Sequence, residues 1–177
     1  MKTKLAITVI TFAVAAFASN TRAGCCDPEY PMMMQTANTD ESGALMEPVK
    51  SVLDNYLKIQ AALAKDSTGG VAANASAIAR AVRSDSMKML SPQVAEQADA
   101  LAKAKDLAAA REAFKPLSKS LIQYLNDHNV SGTYTEVYCP MAKASWLQKG
   151  DKIDNPYMEA SMRGCGHIQT KAKTKTS

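Results

Sequence analysis

The sequence predicts an all-α fold, a four-helix up-down bundle followed by an irregular Cys/Met-rich segment, on three observations. Apolar residues recur at three- and four-residue intervals in four successive stretches between Val49 and Leu125. Helix-stopping and helix-starting residues separate those stretches at short distances: Gly69-Gly70, Ser91-Pro92 and Asp106. The chain from Tyr138 to His167 then holds sulfur-bearing side chains with little helical or strand period. Amphipathic helices with short connections cover their apolar stripes by lying against their sequence neighbours, which favours the up-down arrangement.

In the first predicted helix, Met46 to Lys65, the buried stripe is Val49, Val52, Leu53, Tyr56, Ile59 and Leu63. Gly69-Gly70 ends it. The second continues through Val71, Ala75, Ile78, Val82 and Met89 to about Leu90, and its many alanines allow a close neighbour. Met89 belongs to the core by this period, and Met87, two positions away, does not. Ser91 as cap and Pro92 in the first helical position open the third helix, with Val94, Ala98 and Leu101 inward. The fourth begins near Asp106 and buries Leu107, Ala110, Phe114, Leu117, Leu121 and Tyr124 or Leu125. Pro116 inside it should kink it or leave a carbonyl unpaired. His128 near its end is placed to interact with the helix dipole. Thr133 to Tyr138 is rich in β-formers and suggests one short strand or extended strip, with Trp146 anchoring the remaining segment on the bundle.

Four regions follow. Residues 1–23 read as a secretory signal peptide: Lys2 and Lys4 precede an apolar run from Leu5 to Phe17 that is too short to cross a bilayer. Residues 24–43 read as a flexible arm carrying Cys25, Cys26, Met32, Met33 and Met34. Residues 44–168 form the domain, of which 130–168 is the Cys-Pro-Met segment, and 169–177 form a basic tail. The reading places the chain in the periplasm. Lipoprotein anchoring at Cys25 is the alternative, against which stands Arg22 where the lipoprotein box has leucine. The membrane is a partner only in that case.

The full chain has 21 basic and 17 acidic residues, a formal charge of +4. Lys2, Lys4 and Arg22 fall in the leader, so the rest is close to neutral and lacks the electrostatic footprint of a nucleic-acid binder. No nucleophile triad, phosphate loop, zinc helix or Cys-x-x-Cys motif is present, and the chain is not expected to be an enzyme. Glu96, Asp99, Asp106 and Glu112 read as solvated helix-surface carboxylates.

The remaining chemistry is soft. Thiolates and thioethers select monovalent copper or silver. Cys139 and Met141 flank Pro140 in one short turn, Met162 and Cys165 are three apart, and His167 adds an imidazole. These five are the candidate copper(I) or silver(I) ligands, with Met158 ranked after them. Cys25, Cys26, Met32, Met33 and Met34 are auxiliary candidates by donor type alone. The competing reading is a Cys139–Cys165 disulfide, since exported thiols meet an oxidising compartment and adjacent Cys25 and Cys26 make a strained pair. On the chain-entropy account such a bridge contributes on the order of 3–4 kcal/mol. If both readings hold, bound metal and bridge exclude each other.

Tyr138-Cys139-Pro140-Met141-Ala142, then Trp146, Asn155-Pro156-Tyr157 and Met162-Arg163-Gly164-Cys165-Gly166, in that order, resemble the domain of unknown function 3347 family. The resemblance runs from about Leu45 to Ile168. It departs where the family commonly has an aromatic and a glycine and this chain has Met158 and Glu159. That family is found alone or fused to periplasmic adaptor subunits of heavy-metal efflux pumps. The resemblance therefore implies a role in copper or silver homeostasis, with an efflux adaptor or another metal-handling envelope protein as partner. The alternative is a non-metal interaction module stapled by Cys139–Cys165.

Overall fold

The computed structural model describes residues 45–130 and 134–169. The segment expected to be a signal peptide, the expected arm with its Cys25, Cys26 and Met32 to Met34, and the tail from Thr170 onward lie outside the described residues.

Four helices form where the apolar period places them: α1 at Val49–Leu63, α2 at Val71–Arg83, α3 at Pro92–Ala102 and α4 at Leu107–Asp127. The predicted stripes are the buried faces, including Val52, Tyr56, Ile59, Ile78, Val94, Leu101, Phe114 and Leu121. Each helix packs on the next, and α1 also meets α4. Ser91 caps α3 by accepting from the Gln93 amide at 3.3 Å, and Asp106 caps α4 by accepting from the Ala109 amide at 2.8 Å. The α4 helix runs through Pro116 to Asp127. His128 is its C-cap residue: Nδ1 lies 2.8 Å from the Tyr124 carbonyl and the ring stacks on Tyr124 at 4.1 Å.

The second helix is shorter than its apolar spacing suggests. It ends at Arg83 because Asp85 turns the chain, its carboxylate accepting from the amides of Met87, Met89 and Leu90 at 3.0, 2.6 and 3.3 Å. Met89 still reaches the core from this turn, while Met87 is exposed.

The all-α expectation is corrected by the C-terminal segment, which is not irregular. It forms β1 at Thr135–Cys139, β2 at Ala144–Gln148 and β3 at His167–Ile168, a three-stranded antiparallel sheet in the order β2-β1-β3. The β2 strand lies chiefly on α4 and also on α1. Its burial explains why the strand was not legible: Trp146, Leu147 and Gln148 are all buried, so the alternation that marks a half-buried strand is missing.

Buried polar groups lock this sheet and its following loop to the helices. Tyr56 and Tyr157 hydroxyls both meet the Ser118 hydroxyl, at 2.9 and 3.0 Å; Tyr56 also accepts from the Leu147 amide and Tyr157 donates to the Ser145 carbonyl. Gln60 on α1 donates to the Asp154 carbonyl at 2.7 Å. Gln148 accepts from Trp146 Nε1 and donates to the Gly150 and Lys152 carbonyls. Leaving any such donor or acceptor unpaired in a buried site costs about 1–3 kcal/mol, so these bonds select one position for the segment.

Candidate metal centre

The motif Cys139-Pro140-Met141-Ala142 is the turn of the β1–β2 hairpin, closed by the pairing of Cys139 with Ala144. Cys139 lies on the inward side of β1 with Val137, fully buried. The turn folds back over its sulfur, and the Ala142 amide donates to Sγ at 3.4 Å. Pro140 has no amide hydrogen and a fixed φ, so it begins the reversal without requiring a partner.

Cys165 reaches the same point from the other side of the segment. The loop after β2 passes Asn155-Pro156-Tyr157, makes a 3-10 turn at Ala160–Met162, and arrives at Cys165, whose amide donates to the Met162 carbonyl at 2.9 Å. The two sulfurs stand 3.1 Å apart, in hydrogen-bonding contact, and both cysteines are free thiols.

Asn155 supports this arrangement. It is fully buried, its Nδ2 donates to the Cys165 carbonyl at 2.5 Å, and its Oδ1 accepts from the Tyr157 amide at 2.8 Å. Its backbone amide donates to the Arg163 carbonyl at 2.8 Å. Asn155 carries no metal-ligand signal in the sequence, where it stands only as part of Asn155-Pro156-Tyr157. The available signal was an asparagine before proline, a turn residue, in a segment otherwise chosen for apolar anchors.

Burial pushes the Cys139 thiol up, but hydrogen bonds to its sulfur from the Ala142 amide, Cys165, the Asn155 side chain and the Met141 amide outweigh it and hold the thiol below its ordinary value. Cys165 is held above, first because it shares its proton with Cys139, then by burial and by the Cys139 charge. The contact thus favours the thiolate on Cys139 and keeps the proton on Cys165. Thiolates are both the ligands of soft metals and the nucleophiles of thiol chemistry.

The other predicted donors are placed unequally. Met141 is exposed on the hairpin turn directly beyond Cys139. Met162 is half-buried in the 3-10 turn whose carbonyl holds Cys165. Met158 is half-buried against the core. His167 is exposed and pairs with Tyr138, with the two rings edge-on at 5.5 Å. Directly paired residues share a face, and Tyr138 faces away from the side that holds Cys139, so the structure does not bring His167 to the thiol pair. Among the described residues no three His, Cys, Asp or Glu side chains gather at one point.

Gly166 closes the site from behind. Its φ is +149°, and a Cβ there would stand 2.9 Å from Trp146 Cη2 and 3.0 Å from Val137 Cγ1. The Cys-Gly pair therefore needs its glycine to let the chain lie on the sheet's apolar face.

The family comparison matches the four helices. The model of a family described as Protein of unknown function (DUF3347) covers residues 52–133. This helical region matches the DUF3347 family model. Its match begins within α1 and ends before β1, so the hairpin and both cysteines of the thiol pair follow the matched DUF3347 region. No curated protein and no solved structure matches the chain significantly.

Proposed function

We propose that the chain is an exported copper(I)- or silver(I)-binding protein that takes the ion as cargo on Cys139 and Cys165 and passes it to an efflux adaptor or another envelope protein. The carrying observation is the 3.1 Å pair of free sulfurs, one of them favoured as thiolate. At roughly 2.3 Å per metal–sulfur bond, two thiolates on an ion with three donors stand about 4.0 Å apart. Cys165, on a loop and half-exposed, has to retreat by about one ångström to open that space. Met141 on the exposed turn is the nearest candidate for a third, exchangeable donor. His167 on the far face is left out of this set. Few donors at an edge suit transfer, because an incoming partner ligand displaces an outgoing one without unfolding the site.

The same sulfur distance favours a second reading. Closing from 3.1 Å to a disulfide near 2.05 Å is also a short movement. The chain would then be an interaction module whose hairpin and loop are stapled together.

Competition for copper(I) between the reduced C25S/C26S chain and a chromogenic chelator, with thiols counted in the protein as isolated, separates the two. Binding that withstands the chelator and disappears in the C139S/C165S variant supports cargo binding. Failure to compete, with Cys139 and Cys165 already oxidised in the isolated protein, overturns it in favour of the staple.

A further inference from the structure

The cleft between the start of α4 and the loop after Tyr157 has a volume of about 470 Å³, and two methionines, Met158 and Met162, line it together with Arg111, Glu112 and Glu159. Neither thioether is spent wholly on the core: both side chains are half-buried. The backbone that carries them is fixed. Arg111 Nη2 donates to the Met158 carbonyl at 2.8 Å, Arg111 Nε to the Pro156 carbonyl at 3.0 Å, and the Asp66 carboxylate accepts from the Ala160 amide at 3.1 Å. The Met162 amide donates to the Glu159 carbonyl at 2.8 Å, closing the turn between the two methionines. Arg111 does not confront the cleft as a bare cation, because the Asp66 carboxylate is its ion-pair partner.

We propose that Met158 and Met162 form a second binding site, a thioether site for a monovalent soft cation, separate from the thiol pair. Thioethers are uncharged and weak toward hard or divalent ions, whereas copper(I) and silver(I) take them readily, so donor type alone sets the ligand class. Glu159 at the same cleft adds negative charge without competing in softness, while the Glu112 carboxylate is paired with Lys115 at 2.6 Å. The site is one turn from the thiols, since the Met162 carbonyl holds the Cys165 amide at 2.9 Å. An ion held on thioethers, which need no deprotonation, is bound more weakly than one held on thiolates and is the natural donor to them. The inference rests on the soft-ion reading of the thiol pair but concerns different side chains.

The test is titration of silver(I) into the full chain carrying C25S/C26S and C139S/C165S, labelled with 13C at the methionine methyl groups, with Met158 and Met162 signals assigned from M158L and M162L. The leucines conserve volume, and circular dichroism checks that each variant folds. The expected result is that both methyl signals shift along one binding curve, and that M158L removes the shift of Met162 at silver concentrations that saturate the parent. Unmoved methyl signals, or a Met162 shift unchanged by M158L, overturn the thioether site. Parallel titration of the chain with both cysteines judges the other reading separately: silver uptake that C139S/C165S leaves undiminished sinks the thiol site whatever the methionine signals do.

Discussion

Cys139 Sγ and Cys165 Sγ lie 3.1 Å apart although the residues are 26 positions apart in the chain. One ends a buried strand and the other follows a 3-10 turn, so their meeting is produced by the whole segment and not by a local motif. The sheet fixes Cys139, while Asn155 and the Met162 carbonyl fix Cys165.

The pH dependence of ion binding follows from that contact. Cys139 is held below the ordinary thiol pKa and Cys165 above it. Between the two, Cys139 is already a thiolate, and capture of an ion by both sulfurs releases the Cys165 proton. Apparent affinity for copper(I) should therefore rise by about one log unit per pH unit in this window, more steeply below the Cys139 pKa, and level off above that of Cys165. Chelator competition at a series of pH values in a C25S/C26S background measures the slope, and a flat profile would show that the thiols do not both bind.

Replacing Asn155 by alanine removes the donor to the Cys165 carbonyl and the acceptor for the Tyr157 amide. The Tyr157 amide is left short of a bond in a buried place, at a cost of about 1–3 kcal/mol before relaxation, and the half-buried Cys165 carbonyl adds less because water can reach it. Denaturant unfolding should show the loss. Alkylation of Cys139 as a function of pH should also shift to higher pH, because one of the hydrogen bonds that favour its thiolate is gone.

Gly166→Ala tests the close approach behind the thiols. The added methyl group meets Trp146 and Val137 at distances that force one of them to move, and the backbone there has a φ of +149°. Overpacking of this kind costs about 1–3 kcal/mol. Thermal unfolding should register it, with Trp146 fluorescence reporting a displaced ring.

Arg111→Gln would free the loop that carries Met158 and Met162. The guanidinium now serves the carbonyls of Leu63, Pro156 and Met158 and pairs with Asp66, and its side chain is 12% exposed. Hydrogen bonds from a charged donor contribute about 1.5–3 kcal/mol, so the variant should lose stability of that order. Hydrogen exchange should accelerate at Asn155 to Met162 well before the α2 and α3 amides. Equal protection in both proteins would mean that the loop is held by other contacts.

The helices were legible in the sequence because each has one face against the core and a polar face outward, as Val49, Val52, Leu53 and Tyr56 show on α1. Ser91 and Asp106 were legible because capping is a local interaction. The end of α2 was not, since Met89 keeps the apolar spacing while Asp85 ends the helix with its side chain. The sheet was half legible: the β-formers of β1 were visible, but β2 owes its conformation to pairing and to the α4 surface. The candidate donors were legible by type, and Cys139 was expected near Cys165 as a co-ligand or a disulfide partner, where the structure has two free thiols. The separation of His167 from this pair was not legible, because that depends on which residue of β1 it faces. Asn155, Arg111 and Gly166 escaped because their work consists of contacts between parts of the chain that no periodicity connects.

The most direct test of the central claim is X-ray absorption at the copper edge of the reduced, copper(I)-loaded C25S/C26S/M158L/M162L chain, in which neither the arm cysteines nor the methionine cleft can supply sulfur. The account predicts a first shell of sulfur that is lost when Cys139 and Cys165 are also changed to serine. A shell of nitrogen or oxygen, or a sulfur shell that survives the loss of both cysteines, would contradict it.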